Sequence, residues 1–553
     1  MSKNIRHLTG RKGIEDNLFN KMGELAQETG TLTNEELERL SDEFLIGNAN
    51  AFGTATFYDF MKPENKGKKA YICNGSACLC AGTQEQVQLD LEKHLDPSEI
   101  GHMTCLGRCH ENGAFQYKGK NYSAKSSIDI SQIIKYGLIK HEDNYSVKSC
   151  CAETLTSEFE GLDFLKNLIE KTLKRTPEEC LAEIQKSQIR GRGGAGFPMG
   201  IKLKSAKDTS ADIRYVVCNA DEGDPGAYSD RYLMERQPYM VLFGMLAAGY
   251  TIGSNWGILY IRAEYPDSSV IIQEAIDKFK ELGLSGENIL GSGFDFHFKI
   301  IRAQGSYICG EETALLSSIE GQRPEVRIRP PYPTQEGLFG KPTVVNNVET
   351  LAALYYIFKT SGKEYAKLGT EKSKGTKLIS LDGFFHNPGI YEVEMGTSLD
   401  IVINELGGGF NAPVKAFHTG GPLGGIVPVH KIKDLSIDFE SFANEGFLLG
   451  HATIVCIPEE FPMIEYLEHL FEFTSVESCG KCFPCRLGSK RGQELLTKAR
   501  TEENYLIDKE LFNDLLDTLE QGSLCALGGG LPLPVKNALM YFEDELKEYF
   551  KES

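Results

Sequence analysis

Three cysteines near the carboxyl end of the chain follow one another at intervals of three residues. The stretch ESCGKCFPCRLG holds Cys479, Cys482 and Cys485, and Cys525 follows in GSLCALGGG. Three thiolates this close along a chain can converge on one centre, and a fourth from a distant loop completes the iron sites of a [4Fe-4S] cluster. A structural zinc ion is the alternative, although zinc sites usually combine two Cys-x-x-Cys pairs. The spacing therefore predicts that this region folds around a metal centre.

A second group of cysteines lies nearer the amino terminus. It consists of two pairs, Cys73 with Cys78 in CNGSAC and Cys105 with Cys109 in CLGRC. Two pairs from two loops suit a [2Fe-2S] cluster, in which each iron needs two thiolates. A zinc ion, or a domain that has lost its metal, is the alternative. We expect the neighbouring Cys80 and His110 to support the site or face the surface, not to act as a fifth ligand.

Composition and charge limit the classes of protein to which this chain can belong. Its 553 residues are enough for several cores. The 59 basic and 78 acidic residues give a net charge of −19, which argues against nucleic acid or an anionic membrane surface as the main partner. No stretch approaches the roughly 18 apolar residues of a membrane span, so we expect a cytoplasmic protein without membrane insertion. Fifteen cysteines are many for a reducing compartment, which favours metal ligation over disulfides.

The pattern of apolar residues predicts an α/β multidomain protein. Helical spacing runs through residues 14–48, a small α/β unit follows, and strand and helix signals alternate from about 160 to 335. Strand-like segments between glycine-rich turns then suit a small β-rich insert, and the chain becomes helical after residue 458. The predicted parts are 1–125, a polar connector at 126–160, 161–335, 336–440 and 441–553.

The loop QIRGRGGAGFPMG, residues 188–200, matches the glycine pattern of dinucleotide-binding folds as a bare sequence. The pattern has mechanical meaning where a strand enters the loop and a helix leaves it. Here the preceding TPEECLAEIQKSQIR spaces Cys180, Leu181, Ile184 and Ile189 as an amphipathic helix does. The loop alone therefore does not establish a nucleotide site.

Four further stretches make the pattern more specific. They are NADEGDPGAYSDR (219–231), YICGEETALLSSIEGQRPE (307–325), RPPYP (329–333) and KPTVVNNVETL (341–351). With them, residues from about 160 to 553 resemble the NADH-binding flavoprotein subunit of respiratory complex I and its relatives in NAD-linked hydrogenases and formate dehydrogenases. Residues 1 to about 125 resemble the thioredoxin-like [2Fe-2S] partner of that subunit, so the chain resembles a fusion of the two. The resemblance implies a Rossmann-like FMN/NADH domain, a ubiquitin-like β-grasp insert and a helical [4Fe-4S] domain.

The resemblance also implies which residues contact the cofactors. It assigns to FMN the residues Gly191, Arg192, Gly193, Lys202, Asn219, Asp221, Gly310, Glu311, Asn346 and Asn347. It assigns to NADH the residues Glu312, Tyr307 and Tyr332, with Phe197 stacking on the nicotinamide or adenine and Asp224 beside the nicotinamide amide. Glu312 and Asp224 are expected to act most directly in catalysis. Amides freed by glycine, together with a fixed cation, are what a phosphate dianion requires.

Three positions depart from the family pattern. Asp224 stands where Glu is common, Ser205 where an aromatic residue often flanks the adenine, and Arg329 where Lys is common. An arginine near the adenosine ribose could accept a 2′-phosphate, so NADP(H) is the alternative to the expected NAD(H).

These features together predict an NADH:acceptor oxidoreductase subunit, a diaphorase. Hydride passes from NADH to FMN, which takes two electrons at once and releases them singly to the iron-sulfur clusters. The expected partners are other iron-sulfur or catalytic subunits of a redox complex that oxidises hydrogen or formate, with ferredoxin as a further candidate. An NADP(H)-linked or electron-bifurcating transhydrogenase module and a non-catalytic iron-sulfur carrier are the alternatives.

Overall fold

The amino-terminal helices pack on the centre of the molecule. A computed structural model describes residues 3–124, 127–136 and 143–551. The first helices are α1 (Lys3–Gly10), α2 (Leu18–Thr29), α3 (Asn34–Phe44) and α4 (Asn48–Ala55). Helix α3 begins at the predicted capping box, in which Thr33 and Glu36 each satisfy the other's backbone N–H. Phe19 and Tyr58 share an apolar core with Tyr260, so this helical start is built onto the central sheet.

A small four-stranded unit carries the first cysteine group. Its elements are β1 (Ala70–Cys73), α5 (Ser76–Cys80), α6 (Gln84–Glu92), β2 (Ile100–Met103), β3 (Ala114–Tyr117), β4 (Lys120–Ser123) and α7 (Ser127–Tyr136). The strand order is β2-β1-β3-β4, with β1 parallel to β2 and with β3 and β4 forming the predicted hairpin. The boundary predicted at residue 125 lies outside the described residues, as do residues 126 and 137–142 of the predicted connector.

The central unit is a parallel sheet flanked by helices. After β5 (Ser146–Ser149) of the connector, it comprises α8 (Leu162–Leu173), α9 (Pro177–Ser187), α10 (Met199–Asp208), β6 (Tyr215–Ala220), α11 (Ser229–Arg236), α12 (Pro238–Ile252), β7 (Trp256–Ile261), α13 (Pro266–Glu281), β8 (His297–Arg302), α14 (Glu312–Ile319), α15 (Pro333–Glu336), β9 (Thr343–Asn347), α16 (Val348–Lys359) and α17 (Gly362–Tyr365). The strand order β8-β7-β6-β9 is all parallel. Chain order reverses between β6 and β9, and such a reversal opens a crevice beyond the carboxyl ends of the two strands.

A mixed sheet forms the insert. Its elements are β10 (Thr376–Leu381), β11 (Gly389–Glu394), β12 (Val414–Thr419), β13 (Gly425–Pro428), α18 (Phe439–Asn444) and β14 (Thr453–Pro458). The order is β13-β12-β14-β10-β11-β5, with β10 and β14 parallel in the middle. The divisions predicted at 335/336 and 440/441 separate β9 and β14 from the rest of their sheets. Strand pairing over such distances leaves no local signal in the sequence.

The carboxyl-terminal region is helical, as the sequence predicts. It comprises α19 (Met463–Glu477), α20 (Ser489–Thr501), α21 (Lys509–Gly522), α22 (Ala526–Gly530), α23 (Pro532–Tyr541) and α24 (Glu543–Leu546). A π-helical turn, Pro484–Gly488, carries Cys485. Among the described residues, none of the helices has the length and apolar character needed to cross a bilayer.

Candidate functional site

The crevice between β6 and β9 is lined by polar side chains. Asn219, at the end of β6, donates from Nδ2 to the carbonyl of Gly310 at 2.9 Å, and its Oδ1 accepts from the N–H of Asp221 at 3.2 Å. Within the described part of the chain, Asp221 Oδ2 and Asn346 Nδ2 are buried without a hydrogen-bond partner. Buried polar atoms are nearly always paired, so a free acceptor and a free donor at a topological switch point fit a polar ligand.

The glycine-rich loop reaches this crevice from helices on both sides. It leaves α9 and enters α10, which confirms that no strand precedes it. The N–H of Gly191 donates to the carbonyl of Phe197 at 2.8 Å and closes the loop. A Cβ on Gly193 would lie 3.0 Å from the Cβ of Asn347, so glycine permits close approach of the loop to the end of β9. The loop borders the crevice without forming the strand-to-helix turn of a standard Rossmann fingerprint.

Arg192 is buried within the base of this loop. Its N–H donates to Thr350 Oγ1 at 2.9 Å. Its guanidinium donates to the hydroxyl of Tyr365 at 3.0 Å and to the carbonyl of Lys374. The side chain is 0% exposed. Arg192 therefore anchors the loop, and the contact between its guanidinium and the flavin phosphate that the resemblance implied is not supported.

The two acidic residues of the GEE stretch have different surroundings. The carboxylate of Glu311 caps α14 and accepts from the N–H groups of Thr313 and Ala314, both at 2.9 Å. The carboxylate of Glu312 lies between two cations, 3.2 Å from Lys202 Nζ and 2.9 Å from Arg329 Nη1. Of the two, only Glu312 has its charge engaged by residues of the predicted NADH region.

Two aromatic side chains of that region are open to solvent. Phe197 is 50% exposed and Tyr332 is 53% exposed. Tyr332 precedes α15, which is held to α10 by a 2.8 Å hydrogen bond between Ser205 Oγ and Thr334 Oγ1. Exposed aromatic faces on fixed elements can stack on a planar ligand.

The carboxyl-terminal cysteines gather in one apolar cluster. Cys479 and Cys485 are buried in it, and Cys482 and Cys525 pack against it, together with Phe473. Among the described residues, the groups of three or more ligand atoms within 4.8 Å of one another include none of these sulfurs. Four sulfurs around one zinc ion would lie about 3.8 Å apart. The wider spacing fits a [4Fe-4S] cluster, whose four irons separate their thiolates.

The amino-terminal cysteines form two close pairs. The sulfurs of Cys105 and Cys109 are 3.6 Å apart, and the thiols of Cys73 and Cys78 are hydrogen-bonded to each other. In the described structure the two pairs do not merge into one group within 4.8 Å. Two pairs that remain apart match the two irons of a [2Fe-2S] cluster, each with two thiolates.

Three family models match the chain. The Nuo51 FMN-binding domain matches residues 184–356, the NADH-ubiquinone oxidoreductase-F iron-sulfur binding region matches 465–549, and the thioredoxin-like [2Fe-2S] ferredoxin matches 6–137. An NADH-quinone oxidoreductase subunit of Aquifex aeolicus is 40% identical over 70% of this chain and 89% of its own length. The chain belongs to this family. The predicted family, fold class and cofactors are thereby confirmed: it is an oxidoreductase with FMN, a [4Fe-4S] cluster and a [2Fe-2S] cluster.

Two relatives carry hydrogenase names. The NADP-reducing hydrogenase subunit HndC of Solidesulfovibrio fructosivorans is 42% identical over 69% of this chain and 78% of its own length. The alpha subunit of the NAD-reducing hydrogenase HoxS of Cupriavidus necator is 32% identical over 95% of this chain and 91% of its own. A crystal structure of an NAD+-reducing [NiFe]-hydrogenase in the H2-reduced state superimposes with a TM-score of 0.85 at 25% identity, over 97% of this chain and 93% of that one. The fused arrangement of this family member thus has a full-length counterpart.

Tyr307 links the crevice to the [4Fe-4S] cysteines. Its hydroxyl donates to Asp224 Oδ1 at 2.6 Å, and its N–H donates to Glu477 Oε2 at 2.8 Å. Its ring packs edge-on against Phe473, with ring centroids 4.8 Å apart, inside the apolar cluster of the cysteines. Burial raises the pKa of Asp224 to about 6, although the Tyr307 hydroxyl and Arg262 favour its charged form.

A buried group near the crevice escaped the sequence predictions. Glu222 and Asp230 flank the turn into α11, and His451 reaches them from the segment before β14. Glu222 and Asp230 lie within the quoted stretch NADEGDPGAYSDR, where their acidic character was the only signal. His451 stands 221 residues beyond Asp230, so only the fold brings the two together.

Proposed function

We propose that NADH delivers hydride to FMN in the crevice between β6 and β9, and that the electrons leave one at a time through the carboxyl-terminal cluster. The observation that carries this proposal is the position of Tyr307, which contacts Asp224 at the crevice and Phe473 among the cluster cysteines. A side chain that spans the two sites brings the flavin close to its electron acceptor. Orientation and exclusion of water suffice for hydride transfer, and no protein acid or base is required.

The FMN seat is assigned to residues whose polar atoms remain available. Asn346 offers its free amide and Asp221 its free carboxylate oxygen, both on elements that end at the crevice. The main chain of Gly191 and Gly193 borders the same space, and Lys202 supplies the cation. Asn219, Gly310, Glu311 and Asn347 act as supports, since their polar groups are held in protein hydrogen bonds. FMN supplies the step between two-electron and one-electron chemistry.

The NADH site is assigned to the exposed side of the crevice. Phe197 and Tyr332 present half-exposed rings for stacking, and Glu312 holds Lys202 and Arg329 in place. Asp224 stands beside Tyr307 as the polar contact for the nicotinamide amide. This arrangement orients the dinucleotide at both ends.

We favour NAD(H) over NADP(H) because Arg329 is already neutralised. Its guanidinium pairs with Glu312 at 2.9 Å and lies 3.8 Å from Glu311. A 2′-phosphate would have to displace two carboxylates and then lie beside them. The similarity to HndC, whose name specifies NADP, makes an NADP(H)-linked enzyme the second candidate. The ratio of kcat/KM for NADH to that for NADPH decides between them.

The partner is assigned to the surface over the carboxyl-terminal cluster. Phe483 and Leu487 are 76% and 59% exposed beside the cluster cysteines, and Leu524 is 43% exposed next to Cys525. An apolar patch over a redox centre suits another iron-sulfur subunit of a cytoplasmic complex. Hydrogen or formate oxidation, or exchange with ferredoxin, would then take place on that partner, and electron bifurcation is the variant in which ferredoxin is a second acceptor.

Cofactor content and dye reduction test the function. Protein purified without oxygen should hold about one FMN and about six irons. It should reduce an artificial dye with NADH, because dye can accept electrons from the flavin directly. Glu312→Ala should lower that activity about tenfold or more, whereas Cys73→Ser should leave it nearly intact. Equal losses in the two variants, or zinc in place of iron, would contradict the proposal.

A further inference from the structure

A buried group of three titratable side chains lies beneath the flavin crevice. His451 Nε2 is 3.3 Å from Asp230 Oδ2 and 3.8 Å from Glu222 Oε1. The three residues are at most 5% exposed. Such groups are rarely buried without a stabilising arrangement, so their hydrogen bonds require an account.

Asp230 connects this group to the crevice. Its Oδ2 accepts from Asn347 Nδ2 at 2.6 Å. Asn347 ends β9, caps α16 through its Oδ1, and lies against Gly193 of the glycine-rich loop. Gly450, next to His451, lies against Gly194 of the same loop. The histidine therefore comes from the insert and reaches the wall of the proposed flavin seat through two contacts.

The hydrogen bonds favour a shared proton over a metal ion. Glu222 is fully engaged, because its two oxygens accept from the N–H groups of Asp230 at 2.9 Å and Arg231 at 3.0 Å. In the described residues Asp230 Oδ1 and His451 Nδ1 are buried without partners. A divalent cation would find one free carboxylate and one imidazole, which is too few ligands for a dry site. One proton between Asp230 and His451 satisfies the close pair directly.

The charges around the pair are also buried. Lys377 is paired with Glu349 and faces both Asp230 and His451, and the Arg262 guanidinium and Tyr265 hydroxyl contact Glu222. Burial, with Glu222 and Glu349 nearby, raises the pKa of Asp230 well above its ordinary value. Burial and Lys377 lower the pKa of His451 to about 3. At neutral pH the shared proton therefore resides on Asp230, with His451 as its acceptor.

We propose that Asp230 and His451 are a positioning pair that holds Asn347 through one shared proton and sets the electrostatic potential of the flavin seat. This inference rests on the proposed function. Loss of the proton places a full negative charge one hydrogen bond from the crevice wall. Reduction adds negative charge to the flavin, so that state disfavours reduction. The flavin potential should then fall more steeply with rising pH where the pair loses its proton.

Potentiometric titration of the FMN-loaded protein tests the pair. The flavin potential is followed by visible absorbance at several pH values for wild type, Asp230→Asn, His451→Gln and the control Asp382→Asn, which alters a buried carboxylate of the insert. Asp230→Asn, which stays neutral, should lose the additional fall at high pH. His451→Gln should move that fall to a different pH, because it removes the proton acceptor. The control should follow wild type.

The outcomes separate this inference from the proposed function. Wild-type protein that binds no FMN, or FMN that NADH does not reduce, contradicts the proposed function itself. FMN-loaded Asp230→Asn and His451→Gln with the pH profile of wild type would overturn the pair alone. The same result follows if Asp382→Asn changes the profile as much as they do. If Asp230→Asn does not fold, His451→Gln provides the decision by itself.

Discussion

The two cysteine sites of this chain meet solvent in different ways. Each cysteine of the amino-terminal pairs is at most 3% exposed. In the carboxyl-terminal site Cys482 and Cys525 are only half-buried, and Phe483 beside them is 76% exposed. One site is sealed and the other opens onto an apolar surface.

The sealed site is closed by contacts from the rest of the chain. Gly226 donates its N–H to Cys109 Sγ at 3.2 Å, and Gly383 donates to the carbonyl of Cys109 at 3.0 Å. Gly107 packs on the ring of Tyr265, where a Cβ would lie 2.6 Å from the nearest ring atom. Central sheet and insert therefore both cover the [2Fe-2S] site. The difference indicates that this cluster exchanges electrons within the chain, whereas the [4Fe-4S] cluster provides the exit.

Replacing a ligand in the open site should have the largest effect. Cys482→Ser removes a thiolate from the [4Fe-4S] cluster and should cost about four of about six irons. Electron transfer to the partner should fall at least about 100-fold, because the exit is lost, while NADH-driven dye reduction persists. Iron analysis and electron paramagnetic resonance measure the outcome.

The matched change in the sealed site is Cys73→Ser. It should remove the [2Fe-2S] signal and about two irons while the exit route continues. Loss of both cluster signals from either single variant would show that the two sites are not independent.

An acidic residue on the exposed patch should have the next largest effect. Phe483→Asp places a charge in the centre of an apolar interface and should weaken partner binding about tenfold or more. Native mass measurement of the complex is the readout, with NADH:dye activity unchanged. Val270→Asp on α13 alters an equally apolar exposed position and should bind the partner normally. Similar binding by both variants would remove the patch from the interface.

Sequence reasoning reached the features that depend on spacing. The cysteines of each group lie together in the structure, because short intervals place them on one loop or turn. The glycine loop was separated from a standard fingerprint because α9 could be predicted from helical spacing. The polar ends of β6 and β9 also met at one crevice, as parallel strands require.

Sequence reasoning did not reach features created by distant contacts. Arg192 has the residue type of a phosphate ligand, yet Thr350, Tyr365 and Lys374 bury it. His451 joins Asp230 only through packing of the insert on the central sheet. Strand β14 belongs to the insert because of its pairing with β10 and β12, which no local pattern specifies.

A small change at the cover of the sealed site should have an intermediate effect. Gly107 has φ of +69°, and an alanine there would both strain the backbone and contact Tyr265. The left-handed conformation alone costs about 1–2 kcal/mol for a residue with a Cβ. Overpacking adds about 1–3 kcal/mol. Gly107→Ala should therefore lower thermal stability and speed loss of [2Fe-2S] iron to a chelator.

Gly119→Ala is the control for backbone strain. Gly119 has φ of +71°, and a methyl group on its Cα would have no atom within 4 Å beyond its own chain neighbours in the described structure. This variant should lose only about 1–2 kcal/mol and keep its [2Fe-2S] iron. Equal iron loss from the two variants would mean that the Tyr265 contact does not close the site.

The smallest expected effect separates the two regions by pH. Asp224, on the side of the open site, and Asp382, beside the sealed site, both have a pKa raised to about 6 by burial. Since the folded pKa is above the ordinary value, each carboxyl gains its proton as pH falls through about 6. Protonated Asp224 loses an acceptor for the nicotinamide amide, so the KM for NADH should rise a few-fold between pH 7 and pH 5. Asp224→Asn should give a KM that is flat over this range, and Asp382→Asn should keep the wild-type slope, because Asp382 contacts only the N–H groups of Phe384 and Cys456 within the described structure. Steady-state kinetics with NADH and dye at fixed ionic strength measure both. A slope that survives in Asp224→Asn but disappears in Asp382→Asn would reverse the assignment of the two regions.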